Sequence, residues 1–176
     1  MKNLSFYSLL ALSVSLFFSS CSKVSNSKIK GEWTITSLDA KLLNSYASDP
    51  SMNSEIRQYY DGTTFTVTMT EYGSTQILDQ FEVSSYKYDF QKNDIMYASI
   101  SYLQDQGGII VPVNENAPGT WQSLEDHKLR ISISGGTSID YDIVEISSKK
   151  MVLHAEKIQM SSGVTITETY DLVLVK

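Results

Sequence analysis

Thr64-Phe65-Thr66-Val67-Thr68-Met69-Thr70 alternates threonine with a large apolar residue over seven positions. A period of two sends successive side chains to opposite faces of an extended chain. Phe65, Val67 and Met69 therefore share a buried face, and the threonines share a wet one. Asp61-Gly62 precedes the run and Glu71-Tyr72-Gly73-Ser74 comes after it, both rich in turn formers. This is a half-buried β-strand, and the fold depends on how often its rhythm returns.

Downstream it returns repeatedly. Gln76 to Phe90 reads as one long strand or two bulged ones, and Ile95 to Leu103 as another. Ile109 to Val113 carries Pro112, which confines it to an edge or an end. Asn114 to Gly119 reads as a loop. Thr120 to Leu124, Lys128 to Ser134, Ser138 to Ile146, Met151 to Met160 and Val164 to Val175 come next, joined by short turns such as Gly135-Gly136 and Ser161-Ser162-Gly163. Hairpin-linked strands at this spacing form an antiparallel meander, which hides its edges by closing into an up-and-down barrel. About eight to ten strands are expected. A barrel of about eight is either filled by side chains or holds one small ligand.

Upstream, Gly31 to Leu38 predicts the first strand, with Trp33 and Ile35 on one face. From Asp39 to Tyr60 the period changes. Asp39 is a candidate cap for a turn carrying Leu42, Leu43 and Tyr46, and Asp49-Pro50 is a stronger start signal. Met52, Ile56, Tyr59 and Tyr60 then recur at helical spacing until Asp61-Gly62. A short helical segment is expected between the first two strands, placed either to gate the barrel or to plug its end.

Before the first strand, Lys2 and an apolar run through Leu9-Leu10-Ala11-Leu12 and Leu16-Phe17-Phe18 end at Ser19-Ser20-Cys21. The run matches the h-region of a signal peptide and is shorter than the ~20 residues a spanning helix needs. Small residues before a cysteine resemble the lipobox of bacterial lipoproteins, which implies a signal over residues 1–20 and lipidation of Cys21. A secretory peptide with an incidental cysteine is the plainer alternative. Residues 21–30, rich in Ser, Lys and Asn, read as a tether, and residues 31–176 as one domain. Lipoproteins sent to the outside of the cell in some gut-type bacteria resemble one another in carrying acidic residues just after the cysteine; Ser22-Lys23-Val24-Ser25 has none, so that comparison implies a periplasm-facing outer-membrane location over the cell surface.

Cys21 is the only cysteine, so no intramolecular disulfide and no thiolate metal site can form. Without Lys2 the basic count falls from 14 to 13 against 20 acids, a net charge near −7, which argues against a nucleic-acid partner, since that would need a basic stripe. No Gly-x-Ser-x-Gly elbow is present. His127 reads as a solvated turn residue. His154 and Glu156 share a strand face, as do Asp140 and Asp142, without a third ligand at zinc-site spacing. The expectation is a protein with no catalytic site, no metal and no cofactor. Tyr86, Tyr88 and Tyr97 cluster in the middle strands, and tyrosine suits both pocket walls and any half-buried sheet.

Gly31-Glu32-Trp33 on the first strand is similar to the Gly-x-Trp of lipocalins. Gly119-Thr120-Trp121, Leu129 to Ile133, Tyr141-Asp142-Ile143, Met151-Val152-Leu153 and the closing Tyr170-Asp171-Leu172-Val173-Leu174 resemble the lipocalin-like domain of small lipoproteins from Bacteroides-type bacteria. The resemblance spans Lys30 to Lys176 and implies a calycin-like barrel that binds a small hydrophobic or amphipathic ligand. Phe65, Val67 and Met69 would line it with Tyr86, Tyr88 and Tyr97. Trp33 would close one end, and the segment bearing Ile56 and Tyr59 would gate the other. Lipocalins also set a basic residue over the first-strand tryptophan; Lys176 and Arg130 are the candidates. The rival expectation is a filled barrel binding a protein or glycan through Asn114 to Thr120 and Gln104 to Gly108.

Overall fold

A computed structural model describes residues 24–176. The signal segment and Cys21 lie outside the described residues. A single turn of helix, α1 (Asn26–Ile29), leads into ten strands: β1 (Gly31–Tyr46), β2 (Ser54–Tyr60), β3 (Thr64–Glu71), β4 (Ser74–Phe90), β5 (Ile95–Asp105), β6 (Ile110–Ser123), β7 (Lys128–Ile133), β8 (Ser138–Ile146), β9 (Lys150–Ser161) and β10 (Val164–Val175). Each strand pairs antiparallel with the next, and β10 returns to β1 from Tyr46↔Val164 to Thr34↔Val175, closing a barrel.

The first strand makes two different pairings along its length, and this gives the barrel unequal halves. Gly31 to Thr34 pair with β4 over Lys87 to Phe90, whereas Leu38 to Asn44 pair with β2. The β2–β3 hairpin is therefore wedged into one half only. In the other half the wall closes directly from β1 to β4, and the strands meet over a solid core. Trp33, Phe90, Met96, Trp121, Leu129, Met151, Leu153, Leu172 and Leu174 are all buried there. Phe90 meets Trp121 edge to face at 5.7 Å, and the Trp121 indole donates to the Gln91 carbonyl at 3.0 Å.

This solid end is also capped. The expected tether packs from Val24 onward, because the barrel end offers apolar cover: Val24 is buried and Ile29 is fully enclosed. Ser123 Oγ donates to the Val24 carbonyl at 2.9 Å, and Trp33 Nε1 donates to the Ile29 carbonyl at 2.6 Å. Lys176, not Arg130, is the basic residue over the tryptophan. Its Nζ stands 4.4 Å from the Trp33 ring centroid and donates to the Lys30 carbonyl at 2.8 Å. Arg130 lies on the outer face in a bidentate pair with Asp140.

Between β1 and β2 the helical segment amounts to one 3-10 turn, Pro50–Met52, with Asp49 accepting from the Ser51 amide at 3.0 Å as its cap. The capping signal is real, but the helix stops there. Ser54 to Tyr60 is extended because it fills the gap between β1 and β3, making ladder bonds on both sides that a helix would leave unmade. Asp39 reinforces the choice by taking two hydrogen bonds from Arg57, at 2.8 and 2.7 Å. No helical lid exists among the described residues. Asn114 to Gly119, expected as a loop, is continuous strand within β6, paired with β5 throughout. The Pro112 reading holds, since β6 pairs with β7 only from Gly119 onward.

The Arg57 hydrogen bond holds the Asp39 carboxyl below its ordinary value near 3.8, and the Arg130 hydrogen bond does the same for Asp140. A carboxyl depressed in the folded state adds stability that is complete above the unfolded value and lost as pH falls through the folded one. Urea melts should therefore show stability declining below about pH 4. An Asp39→Asn, Asp140→Asn variant should be less stable at neutral pH and show a shallower acid slope; an unchanged slope would refute the assignment.

Candidate functional site: a tyrosine-lined cup

Where β2 and β3 widen the wall, the interior is not filled. Register assigns the faces: Leu38, Ala40 and Leu42 on β1 stand opposite Tyr60, Gln58 and Ile56 on β2, and these oppose Phe65, Val67 and Met69 on β3. All point inward. On β4 a bulge between Val83 and Ser85 shifts the alternation by one, so Val83, Tyr86, Tyr88 and Phe90 share the inner face. On β8 and β10 the inner face carries Ile139, Tyr141, Tyr170 and Glu168.

These residues border three open clefts that share part of their lining. A central cavity of about 270 Å³ is bounded by Leu38, Ala40, Gln58, Tyr86, Tyr88, Ile131, Ile133, Ile139, Tyr141 and Tyr170. A larger one of about 420 Å³ toward the mouth shares Ala40, Gln58 and Tyr170 and adds Leu42, Ile56 and Glu168. A third of about 230 Å³ shares Ile139, Tyr170 and Glu168 and reaches Ala155 and Lys157. Tyr170 borders all three. The β7–β8 hairpin is short, which leaves the wall low on that side. A separate cleft of about 570 Å³, lined by Phe81, Tyr102 and Ile110 among others, sits where β4 and β5 part.

The rings meet edge to face, Tyr60 to Tyr86 at 5.7 Å and 65°, Tyr86 to Tyr88 at 6.1 Å and 86°, and Tyr141 to Tyr170 at 6.4 Å and 74°. Phe65 stacks on Phe81 at 5.3 Å, which in turn meets Tyr102. Burial raises the Tyr86, Tyr88 and Tyr141 phenols above their ordinary value, so they stay neutral donors and acceptors at any physiological pH. Tyr170 Oη donates to Glu168 Oε2 at 3.2 Å. The Tyr141 hydroxyl makes no hydrogen bond among the described residues, although its residue is only 4% exposed and lines the central cavity.

The residues expected to line the barrel divide. Ile56, Phe65, Val67, Met69, Tyr86 and Tyr88 face inward; of these, Tyr86 and Tyr88 border the central cavity and Ile56 the larger one. Trp33 is inside but belongs to the solid end. Tyr59 and Tyr97 face outward. Tyr59 adjoins the inward Tyr60 and lies under the Arg57 guanidinium, 5.2 Å from its ring centroid. Tyr97 adjoins the inward Met96 and pairs with Asp89 and Pro118 on the outer surface. Gln58, Tyr141, Tyr170 and Glu168 complete the cup, and sequence reasoning does not assign them to it. The Ile139-Tyr141-Ile143 alternation is the available signal for one of them.

His154 and Glu156 face outward too. The partner of His154 is Asp171, with Nδ1 to Oδ1 at 2.7 Å. Among the described residues no group of three His, Cys, Asp or Glu is arranged to hold a metal ion. No described helix is long and apolar enough to cross a membrane.

A lipocalin-like domain family matches residues 29–153, from the closed-end cap through the first part of β9. The chain belongs to the lipocalin-like domain family. Comparison with curated proteins and with solved structures finds no match. The matched span omits β10, which carries Tyr170 and Glu168 and seals the lipocalin-like barrel against β1.

Proposed function

We propose that this lipocalin-like protein is a lipid-anchored, non-enzymatic carrier that holds a small hydrophobic or amphipathic ligand in the tyrosine-lined half of its barrel. The observation that carries this reading is the division of the barrel into a solid, capped end and a hollow end walled by aromatic and aliphatic side chains. Apolar burial supplies about 2.5 kcal/mol per 100 Å² removed from water, and a few hydroxyls orient the ligand. His127 lies in an exposed turn at the closed end, and His154 faces outward from β9 against Asp171 at 2.7 Å, so neither imidazole is presented to the cup, which supports binding over catalysis.

The anchor reading draws on the lipobox-like Ser19-Ser20-Cys21. Cys21 is three residues from Val24, which rests on the closed end, and three residues span at most about 11 Å. A lipid on Cys21 would hold the closed end to the outer membrane and turn the mouth toward the periplasm.

Ala40 borders both main cavities, so Ala40→Phe should fill the cup from within. We expect the purified wild type to bind an apolar fluorescent dye and the variant to bind it at least tenfold more weakly with unchanged circular dichroism. Equal dye binding by a folded Ala40→Phe variant would overturn the carrier reading. A second reading, a protein-binding module, is favoured by exposed apolar residues at three hairpin tips of the open end: Tyr72, Ile109, Ile110 and Met160. A partner retained by Ala40→Phe and lost on replacing Ile109 and Ile110 with serine would point to it.

A further inference from the structure

We propose that the cup selects an organic cation: an amphipathic amine or quaternary ammonium whose head meets Glu168 and the rings around it. This rests on the carrier reading and specifies its ligand.

The charges turned toward the open interior are unbalanced. Register places Glu168 of β10, Glu115 of β6 and Asp79 of β4 on the inner face, with Lys157 of β9 as the cation beside Glu168. Glu115 is already engaged by the Tyr102 hydroxyl at 2.8 Å. Glu168 is different. It forms no ion pair among the described residues, Lys157 included, and its contact is the Tyr170 hydroxyl at 3.2 Å. It also borders two of the three clefts that meet at Tyr170, so its carboxylate is presented to whatever occupies them.

Next to that carboxylate stands an aromatic box. Tyr141 and Tyr170 meet at 74°, and Tyr86 and Tyr88 at 86°, so ring faces bound the cavity from more than one side. The negative face of an aromatic ring attracts a cation, most strongly where water is excluded. The Tyr141 hydroxyl, on a residue only 4% exposed, has no protein partner among the described residues and opens onto the central cavity, where it offers a lone pair to an ammonium N–H. An anionic head entering the same space would meet Glu168 at close range, and of the two lysines that border these clefts, Lys157 and Lys41, the second is already held by Asp39 at 3.4 Å. Leu38, Ala40, Ile131, Ile133 and Ile139 supply the apolar wall for the rest of the molecule.

The test is calorimetric titration of the intact domain with three probes of equal chain length: octyltrimethylammonium, octanol and octyl sulfate. The ammonium should bind at least tenfold more tightly than octanol, and the sulfate most weakly. Glu168→Gln should erase the advantage of the ammonium while leaving octanol affinity in place. Glu125→Gln, in an exposed turn at the closed end, should change nothing, which separates a local effect from attraction by the net negative charge. Octanol or octyl sulfate binding as well as the ammonium, or an unaltered preference in Glu168→Gln, would overturn the cation proposal while leaving the carrier reading intact. Failure of all three probes would overturn both.

Discussion

Trp33→Ala is expected to remove about 3–5 kcal/mol of stability, read as a shift of the urea midpoint. Trp33 is fully enclosed, and its indole ties the parts of the closed end together. The ring packs in the solid core, Nε1 bonds the Ile29 carbonyl at 2.6 Å, and Lys176 covers one face at 4.4 Å. Removing it opens a cavity no neighbour can fill, since the surrounding strands are fixed by ladder bonds. The loss is a large share of the roughly 5–15 kcal/mol that holds a typical domain together. Trp33→Phe should fall between, keeping most of the packing and losing the hydrogen bond. Amide exchange over Asn26 to Lys30 should quicken in both variants, because α1 is docked through this residue. Wild-type exchange there in Trp33→Ala would show the cap to be held by other means.

Gly119→Ala is expected to cost about 3 kcal/mol, at the top of the range for overpacking a rigid site. A methyl group at this position would strike the Ser132 carbonyl oxygen and come within 3.2 Å of both Ile133 Cα and Met96 Cγ. Two of those atoms are backbone of β7, so relief requires moving the strand at the point where Gly119 pairs with Ile133. Gly73→Ala is the informative comparison. Its methyl would meet nothing within 4 Å, but its φ of +73° is left-handed and strains any side chain by about 1 kcal/mol. Denaturation of the two variants should rank Gly119→Ala as the more damaging; the reverse order would refute this account of the β6–β7 crossing.

The strands most accurately legible in the sequence were those bounded by hairpin turns. Ser138 to Ile146 and Val164 to Val175 appear in the fold with the same limits. The error between Asp39 and Tyr60 has a physical origin. Leu42, Tyr46, Ile56 and Tyr60 suit a helical stripe, yet in an extended chain Leu42, Ile56 and Tyr60 also fall on one face, because an interval of four satisfies both periods. Only the unfilled edge between β1 and β3 decides for the strand. In the site, Tyr86 and Tyr88 were identifiable as wall residues, but Tyr59 and Tyr97 were indistinguishable from them by type. Bulges between Ile35 and Ser37, Val83 and Ser85, and Ile143 and Glu145 each exchange the inner and outer faces of the strand beyond them. One extra residue suffices, and nothing in local composition announces it.

Alternation of apolar and polar residues, punctuated by turn formers, by itself determined an antiparallel barrel of about eight to ten strands, because period-two burial is a local property of the chain. Whether that barrel is full or hollow is not local. It was decided by β1 pairing with β4 at one end and with β2 at the other, which inserts a hairpin into one half and separates side chains that would otherwise meet. The same long-range pairing brings Tyr141 and Tyr170 beside Tyr86, and sets Glu168 at the edge of the space they enclose.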